Sequence, residues 1–174
     1  MSEPVPRRSA LVITASDGAA AGVRDDLSGV RVGERLAELG FDVQRRVVPD
    51  DRGQIEAALV EGARQHPLVI TTGGTGLTPR DVTPQATGAV IDYEVPGLAE
   101  AMRAAGRART PMADLSRGIA GVRRGSLIIN LPGSPKGALE SLEAIEPVLD
   151  HALETIAGPY DHSTTTPAPG DPSS

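Results

Sequence analysis

The chain has no cysteine and no tryptophan, and its aromatic residues are limited to one phenylalanine and two tyrosines among 174 residues. Without cysteine, neither a disulfide framework nor a thiolate-ligated metal site can form. The shortage of aromatic side chains requires an aliphatic core and disfavours nucleic-acid binding by base stacking. The formal net charge of −6 at pH 7 also argues against nucleic acids and anionic membranes as partners, because both select basic surfaces.

Paired histidines and long apolar segments are absent too. The three histidines, His66, His151 and His162, lie far apart and show no spacing typical of a zinc site. No apolar run approaches the ~20 residues needed to cross a bilayer, and the N-terminus carries no long apolar segment. The length and the 39% hydrophobic content are those of one globular domain. We therefore expect a cytoplasmic protein.

Short β-branched segments alternate along the chain with segments of helical periodicity. Strands are predicted at 9–16, 41–49 and 67–72, followed by a hairpin within "LSRGIAGVRRGSLIINLP" that turns at Arg124 and Gly125. Such alternation favours parallel β-α-β units with right-handed crossovers, and hence a three-layer α/β/α domain with a mostly parallel sheet. We predict this domain over residues 8–157, with a short N-terminal extension at 1–7 and a disordered tail at 158–174.

Capping residues and prolines indicate where the helices begin and end. Asp25 or Ser28 is predicted to cap the first long helix, and Thr83, followed by proline, to cap a helix that runs to about residue 92. Ser134 is predicted to cap the last helix. Pro147 is expected to break or kink that helix, because proline lacks the amide N–H that a helix needs.

Four of the predicted strands end in unusual sequence. In open α/β sheets, ligands bind beyond the carboxyl ends of the strands, so these segments are candidates for a common site. The four ends are Ser16, Asp17 and Gly18; Pro49, Asp50 and Asp51; Gly73, Gly74, Thr75 and Gly76; and Pro132, Gly133, Ser134, Pro135 and Lys136.

The segment Gly73–Gly76 is either a tight strand-to-helix turn or a phosphate-binding loop. Glycines permit positive φ angles and let backbone N–H groups approach an oxygen closely. The glycine spacing fits neither the P-loop nor the Rossmann pattern. Asp81, a few residues later, is either a loop carboxylate bonded to nearby amides or a metal ligand. An acid at each of two strand ends, Asp81 with Asp50 or Asp51, is what a Mg²⁺–triphosphate site requires.

Lys136 is the single lysine among 17 basic residues, and it stands in the glycine-rich segment "NLPGSPKG". Together with the hydroxyl of Ser134 and the N-terminus of the last helix, its ammonium group would form an anion site. The alternative is that Ser134 caps the helix and has no other role.

The segments "TTGGTGLTPRDVTPQAT" and "LSRGIAGVRRGSLIINLPGSPKGALESLEAI" resemble the molybdopterin-binding domain of molybdenum cofactor biosynthesis proteins, a family that includes the gephyrin G domain. The resemblance covers residues 8–157. It implies the three-layer fold and a homotrimer. It also implies an adenylyltransferase activity: Mg²⁺-dependent transfer of AMP from ATP to the terminal phosphate of molybdopterin, with release of pyrophosphate. The product would then pass to a molybdate-insertion protein.

The resemblance also implies roles for individual residues. Asp50 and Asp81 match the two acids that the family ties to catalysis and to the metal, although Asp51 leaves the first assignment open by one position. The matched substrate-binding residues are Ser16, Asp17, Gly73, Gly74, Thr75, Gly76, Pro132, Gly133, Ser134 and Lys136.

Two other functions share these motifs. A carrier or scaffold of the same family would bind molybdopterin but release no pyrophosphate. A different Mg-nucleotide enzyme on the same α/β plan would ignore molybdopterin.

Overall fold

Six strands form one mixed sheet in the computed structural model, which describes residues 8–159. The strands are β1 (Ser9–Ala15), β2 (Asp42–Val48), β3 (Leu68–Thr72), β4 (Tyr93–Glu94), β5 (Ala120–Arg123) and β6 (Ser126–Leu131). Their order across the sheet is β2-β1-β3-β6-β5-β4. The first four of these strands are parallel, whereas β5 and β4 are added by antiparallel pairing. The predicted α/β class and mostly parallel sheet are confirmed.

Helices cover both faces of this sheet. They are α1 (Asp17–Ala20), α2 (Leu27–Glu38), α3 (Arg52–Gln65), α4 (Thr83–Val90), α5 (Pro96–Arg107) and α6 (Pro135–Ala157), with a 3-10 turn at Pro111–Leu115. Helices α2, α5 and α6 pack together on one face, and α3 and α4 pack on the other. None of the helices within residues 8–159 is long and apolar enough to span a membrane.

The central strands β1, β3 and β6 are buried on both faces, which explains why their sequences are continuous apolar runs. Alternate residues point to opposite layers: Val12 and Ile70 pack with α2, α5 and α6, whereas Ile13 and Val69 pack with α3 and α4. Strand β2 lies at the sheet edge and is largely solvent-accessible. The predicted extension 1–7 lies outside the described residues, as does the predicted tail apart from residues 158 and 159.

Two predicted helix caps are wrong. Asp26 caps α2 by accepting a hydrogen bond from the Gly29 amide at 2.9 Å, whereas neither Asp25 nor Ser28 does so. Ser28 is instead a buried residue of the first turn. Val82 occupies the cap position of α4, and its apolar side chain accepts no hydrogen bond. Thr83 is not the cap because it is already the first residue of the helix, where it is fully buried against the preceding loop.

The predicted break at Pro147 is also wrong, since α6 runs through it without interruption, whereas the alternative of a kink stays a prediction. Pro147 lies on the exposed side of the helix, as does Glu143, whose carbonyl loses its intrahelical donor. Water can satisfy that carbonyl. Meanwhile the buried side chains Leu142, Ile145 and Leu149 continue the packing on the opposite side. Tertiary packing therefore keeps the helix continuous through the proline.

Candidate functional site

The carboxyl ends of β2, β1, β3 and β6 meet at one edge of the sheet, because these four strands are parallel neighbours. The predicted convergence of the four strand ends is therefore confirmed. Across the edge, the segments follow in the order 49–51, 16–18, 73–76 and 132–136. The structure thus brings every residue of the predicted site to the same edge.

The glycine loop after β3 requires glycine for two physical reasons. Gly73 and Gly74 have φ angles of 91° and 67°, which L side chains rarely adopt. A Cβ at Gly73 would lie 2.4 Å from the carbonyl oxygen of Ala15, and one at Gly74 would lie 2.3 Å from Oγ1 of Thr83. Gly133 packs against the same loop, since its Cβ would lie 3.2 Å from Cα of Gly73. The absence of side chains therefore lets three strand ends approach each other closely.

Asp17 and Asp50 bind each other's backbone across the ends of β1 and β2. The Asp17 amide donates to Oδ2 of Asp50 at 3.0 Å, and the Asp50 amide donates to Oδ1 of Asp17 at 2.9 Å. Arg80, from the loop after β3, forms an ion pair with the Asp17 carboxylate. Sequence reasoning assigned no role to Arg80, because its partner lies 63 positions away.

The two carboxyls of this cluster are shifted in opposite directions. The hydrogen bond from Arg80 lowers the pKa of Asp17, and the backbone amide of Asp50 lowers it further. Burial raises the pKa of Asp50, and the negative charges of Asp17 and Asp81 add to the rise. Asp50 therefore occupies a position where a cation would be favourable.

The structure also separates Asp50 from Asp51. The side chain of Asp51 caps α3 by accepting the Gln54 amide at 2.9 Å, whereas Asp50 belongs to the cluster with Asp17. Asp51 is therefore occupied as a helix cap, and Asp50 is the carboxylate of this strand end that belongs to the cluster.

Asp81 is held within its own loop. Its Oδ2 accepts the amide of Thr78 at 3.0 Å and the hydroxyl of Thr78 at 2.6 Å. Arg117, a residue to which sequence reasoning assigned no role, donates to the backbone carbonyls of Gly76 and Asp81. No local pattern marks Arg117, because its contacts span 41 and 36 positions.

The two predicted serines are both helix caps. Ser16 accepts the Ala19 amide at 3.2 Å, and Ser134 accepts the Gly137 amide at 3.1 Å. Each hydroxyl keeps its own proton and can still donate to a ligand. The side chain of Lys136 is 84% exposed, and its Nζ lies 3.9 Å from Glu140. Lys136 is therefore at the rim of the site, where it can reach an anion.

Cavities at the two ends of the sheet can be compared. One of about 230 Å³ is adjacent to the segment 132–136 and is lined by Met102, Asn130, Pro132 and Ser134, among others. The other, of about 510 Å³, lies beyond the amino ends of the central strands and is lined by His66, among others. No predicted site residue lines the larger cavity. The smaller one is therefore the cavity that belongs to the candidate site.

Two buried hydrogen-bond networks join the end of β3 to neighbouring elements, and they were not predicted from the sequence. Asn130 donates to the hydroxyls of Thr71 and Thr87 at 3.0 and 2.9 Å, and it accepts the amide of Ile119 at 3.2 Å. A second network connects Asp26 to Thr14, and Thr14 onward to hydroxyls on β3 and α2. These contacts join β3 to its neighbours at the two threonines that directly precede the glycine loop.

The donor chemistry of the site fits Mg²⁺. Among residues 8–159, no three histidine, cysteine, aspartate or glutamate side chains form a ready-made metal cage. Mg²⁺ needs no such cage, because it is commonly held by one or two carboxylates together with substrate phosphates and water. Oδ1 of Asp50 and Oδ1 of Asp81 accept no hydrogen bond from the described residues, so each can serve as a hard oxygen ligand.

The fold and the site define an α/β protein whose parallel sheet ends in a glycine loop and two aspartates, at the position where such sheets bind ligands. Residues 11–151 match the family described as a probable molybdopterin binding domain, and the chain belongs to this family. The predicted family resemblance is confirmed.

Several relatives are similar over nearly the whole domain. The molybdopterin adenylyltransferase of Helicobacter pylori J99 is 43% identical over 154 residues, covering 86% of this chain and 88% of the relative. That of Escherichia coli K12 is 36% identical and covers 86% and 85%. The crystal structure of the molybdopterin biosynthesis enzyme MoaB from Thermus thermophilus is 50% identical, with a TM-score of 0.81, and covers 86% and 96%.

Proposed function

We propose that this protein transfers the adenylyl group of ATP to molybdopterin and releases pyrophosphate, as a step in molybdenum cofactor biosynthesis. The observation that supports this most directly is the meeting of Asp50, Asp81 and the glycine loop Gly73–Gly76 at one sheet edge. The predicted enzyme class, an adenylyltransferase, is also the one that the curated relatives carry in their names.

The reaction requires no activated side-chain nucleophile. An oxygen of the molybdopterin phosphate attacks the α-phosphorus of ATP, a new P–O–P bond forms, and the bond to the β-phosphate breaks as pyrophosphate leaves. A phosphate monoester is already ionised at neutral pH, so no side chain has to remove a proton. His66, the buried histidine, lies away from this edge at the far end of the sheet. Catalysis would then rest on positioning and on charge neutralisation.

The residues of the edge divide this work. The amides of Gly74, Thr75 and Gly76 and the ammonium of Lys136 bind phosphate oxygens, whereas the Gly73 amide donates to the carbonyl of Leu131. The capping hydroxyl of Ser134 orients the second substrate beside the smaller cavity. Asp50 and Asp81 would hold Mg²⁺ through their free carboxylate oxygens, and the ion would supply positive charge against the triphosphate. Arg80 keeps Asp17 ionised and fixed, and thereby keeps the backbone of Asp50 in place.

The test is pyrophosphate release from Mg-ATP with and without molybdopterin, using the wild-type protein and Asp81→Asn. We expect release to require molybdopterin and to fall by ~10²–10³-fold in the variant, the effect of removing one electrostatic stabiliser. Asp51→Asn is the matched control, since asparagine caps a helix as well as aspartate does. Full turnover by Asp81→Asn would contradict the assigned role. Tight molybdopterin binding without any pyrophosphate release would instead make the protein a carrier.

We also propose the assembly and the location that the family resemblance implies. The protein would act in the cytoplasm as a homotrimer and pass adenylyl-molybdopterin to a molybdate-insertion protein. Multi-angle light scattering tests the trimer directly. A mass of one or two chains in solution would contradict it.

A further inference from the structure

The loop that carries Asp81 has little structure of its own. Residues 76–81 belong to no helix or strand, and the four residues 77–80 are exposed. Loops with few buried contacts open easily, whereas a group that orients phosphate must be held closely in place. The hydrogen bonds from Thr78 orient the carboxylate within the loop, yet they do not attach the loop to the domain. Arg80 attaches the middle of the loop through its ion pair with Asp17, so a further contact is needed to fix the two ends.

Arg117 makes that contact at both ends of the loop. Its Nε donates to the carbonyl of Gly76 at 2.8 Å, and its Nη2 donates to the carbonyl of Asp81 at 2.7 Å. Its backbone amide donates to the carbonyl of Thr75 at 2.9 Å. One planar guanidinium thus sets the separation between the first and last residues of the loop.

Arg117 is itself anchored to the domain. Arg103, on α5, donates from Nη1 to the carbonyls of Ser116 at 3.3 Å and Gly118 at 3.0 Å, the residues on either side of Arg117. Gly118 lies against β6, since a Cβ there would be 3.1 Å from the carbonyl oxygen of Asn130. Arg103 therefore connects α5 to the segment 116–118, and Arg117 connects that segment to the loop 76–81.

The charge of Arg117 is not paired. Within residues 8–159, no carboxylate lies within ion-pair distance of its guanidinium, although Arg80 at the same edge is paired with Asp17. Carbonyl groups can satisfy the N–H donors of Arg117 but cannot cancel its charge. This half-buried positive charge contacts Gly76, the last residue of the loop that we assign to phosphate binding.

We infer that Arg117 is a positioning residue for the proposed reaction: its guanidinium bridges the two ends of the loop 76–81 and holds Asp81 in the orientation that phosphate transfer requires. The inference rests on the proposed function for its kinetic consequence. Its structural consequence, that one side chain fixes the two ends of the loop, can be measured without any substrate.

The experiment compares Arg117→Lys and Arg117→Met with the wild-type protein. Lysine keeps the positive charge but has no planar fork, so it cannot bridge two carbonyls as arginine does. Arg123→Lys is the matched control, because Arg123 is also half-buried and donates to a backbone carbonyl, that of Val90, at 2.6 Å. If the loss of any arginine–carbonyl contact were enough to impair the protein, kcat would fall equally in Arg123→Lys and Arg117→Lys.

Two readouts are needed. In the substrate-free protein, hydrogen exchange of the peptide over residues 76–82 should become faster in both Arg117 variants and stay unchanged in the control. In the pyrophosphate assay, kcat should fall by ~10–100-fold, the usual effect of removing a group that orients a ligand-binding residue. The Mg²⁺ concentration for half-maximal activity should rise, while the KM for molybdopterin should change little.

Wild-type exchange and kcat in Arg117→Lys would overturn the inference. Full activity in Arg117→Lys together with a large loss in Arg117→Met would mean that charge alone matters, and this would overturn the bridging role as well. If the wild-type protein releases no pyrophosphate, the proposed function fails, but the exchange measurement still decides whether Arg117 holds the loop. The two failures are therefore distinguishable.

Discussion

A methyl group at Gly73 would meet the carbonyl oxygen of Ala15 at 2.4 Å, a distance at which something in the structure must move. Neither partner can move easily. Ala15 ends the central strand β1, Gly73 follows the central strand β3, and the two strands are paired over five residues. Gly73 also has a φ of 91°. Gly73→Ala therefore introduces both backbone strain and a steric overlap.

The two costs can be separated with a second glycine. Gly40 has nearly the same φ, 90°, but a Cβ there would meet no atom within 4 Å. Left-handed backbone costs an L-residue about 1–2 kcal/mol, and the stiffer unfolded chain returns about 0.4–1 kcal/mol. We therefore expect Gly40→Ala to lower the free energy of unfolding by about 1 kcal/mol. Overpacking adds about 1–3 kcal/mol, so the loss at Gly73 should reach about 2–4 kcal/mol.

Equilibrium urea denaturation of the wild-type protein and both variants measures these values. A loss of about 2–4 kcal/mol is a large part of the 5–15 kcal/mol by which domains are ordinarily stable. The slope m should stay constant, because the substitution does not change the surface that unfolding exposes. Pyrophosphate release should also fall in Gly73→Ala, since the loop must shift, and should remain normal in Gly40→Ala. Equal destabilisation by the two substitutions would refute the steric argument.

Three further predictions test the surroundings of the site. Asp51→Ala removes the cap of α3 and should lower the free energy of unfolding by about 0.5–2 kcal/mol in urea denaturation. It should leave pyrophosphate release unchanged, and an inactive variant would reverse our assignment of the two acids. Asn130→Ala leaves two buried hydroxyls and one partly buried amide unpaired and should lower the free energy of unfolding by about 2–4 kcal/mol in the same assay. A loss below about 1 kcal/mol would mean that water replaces the side chain. Arg80→Gln should raise the pKa of Asp17 toward its ordinary value of 3.8, as followed by NMR titration of the carboxyl group. Because the pKa of Asp17 is lowered in the folded wild-type protein, the stability that this pair contributes is present above pH 3.8 and is lost as the pH falls. The difference between wild type and Arg80→Gln should therefore shrink below pH 3.8, and an unchanged Asp17 titration would contradict the ion pair.

Local pattern determined the larger part of this fold. The apolar runs of β1, β3 and β6 predicted buried parallel strands, because strands covered on both faces have no polar side. From that arrangement it followed that residues 16–18, 49–51, 73–76 and 132–136 would share one edge, and the strand order confirms it. The hairpin at Arg124 and Gly125 was likewise predicted from its turn residues, and both have positive φ angles.

Tertiary structure decided what depends on burial or on distant partners. Burial made Thr83 helical rather than a cap, and packing on the inner side of α6 carried that helix past Pro147. The contacts that complete the site join Asp17 to Asp50 across 33 positions and Arg117 to the Asp81 loop across 36. Hydrophobic period and capping chemistry act within a few residues, so they determined where the strands and glycine turns lie. The charge pairs at this edge could not be predicted from local pattern, because the strand order decides which distant residues meet.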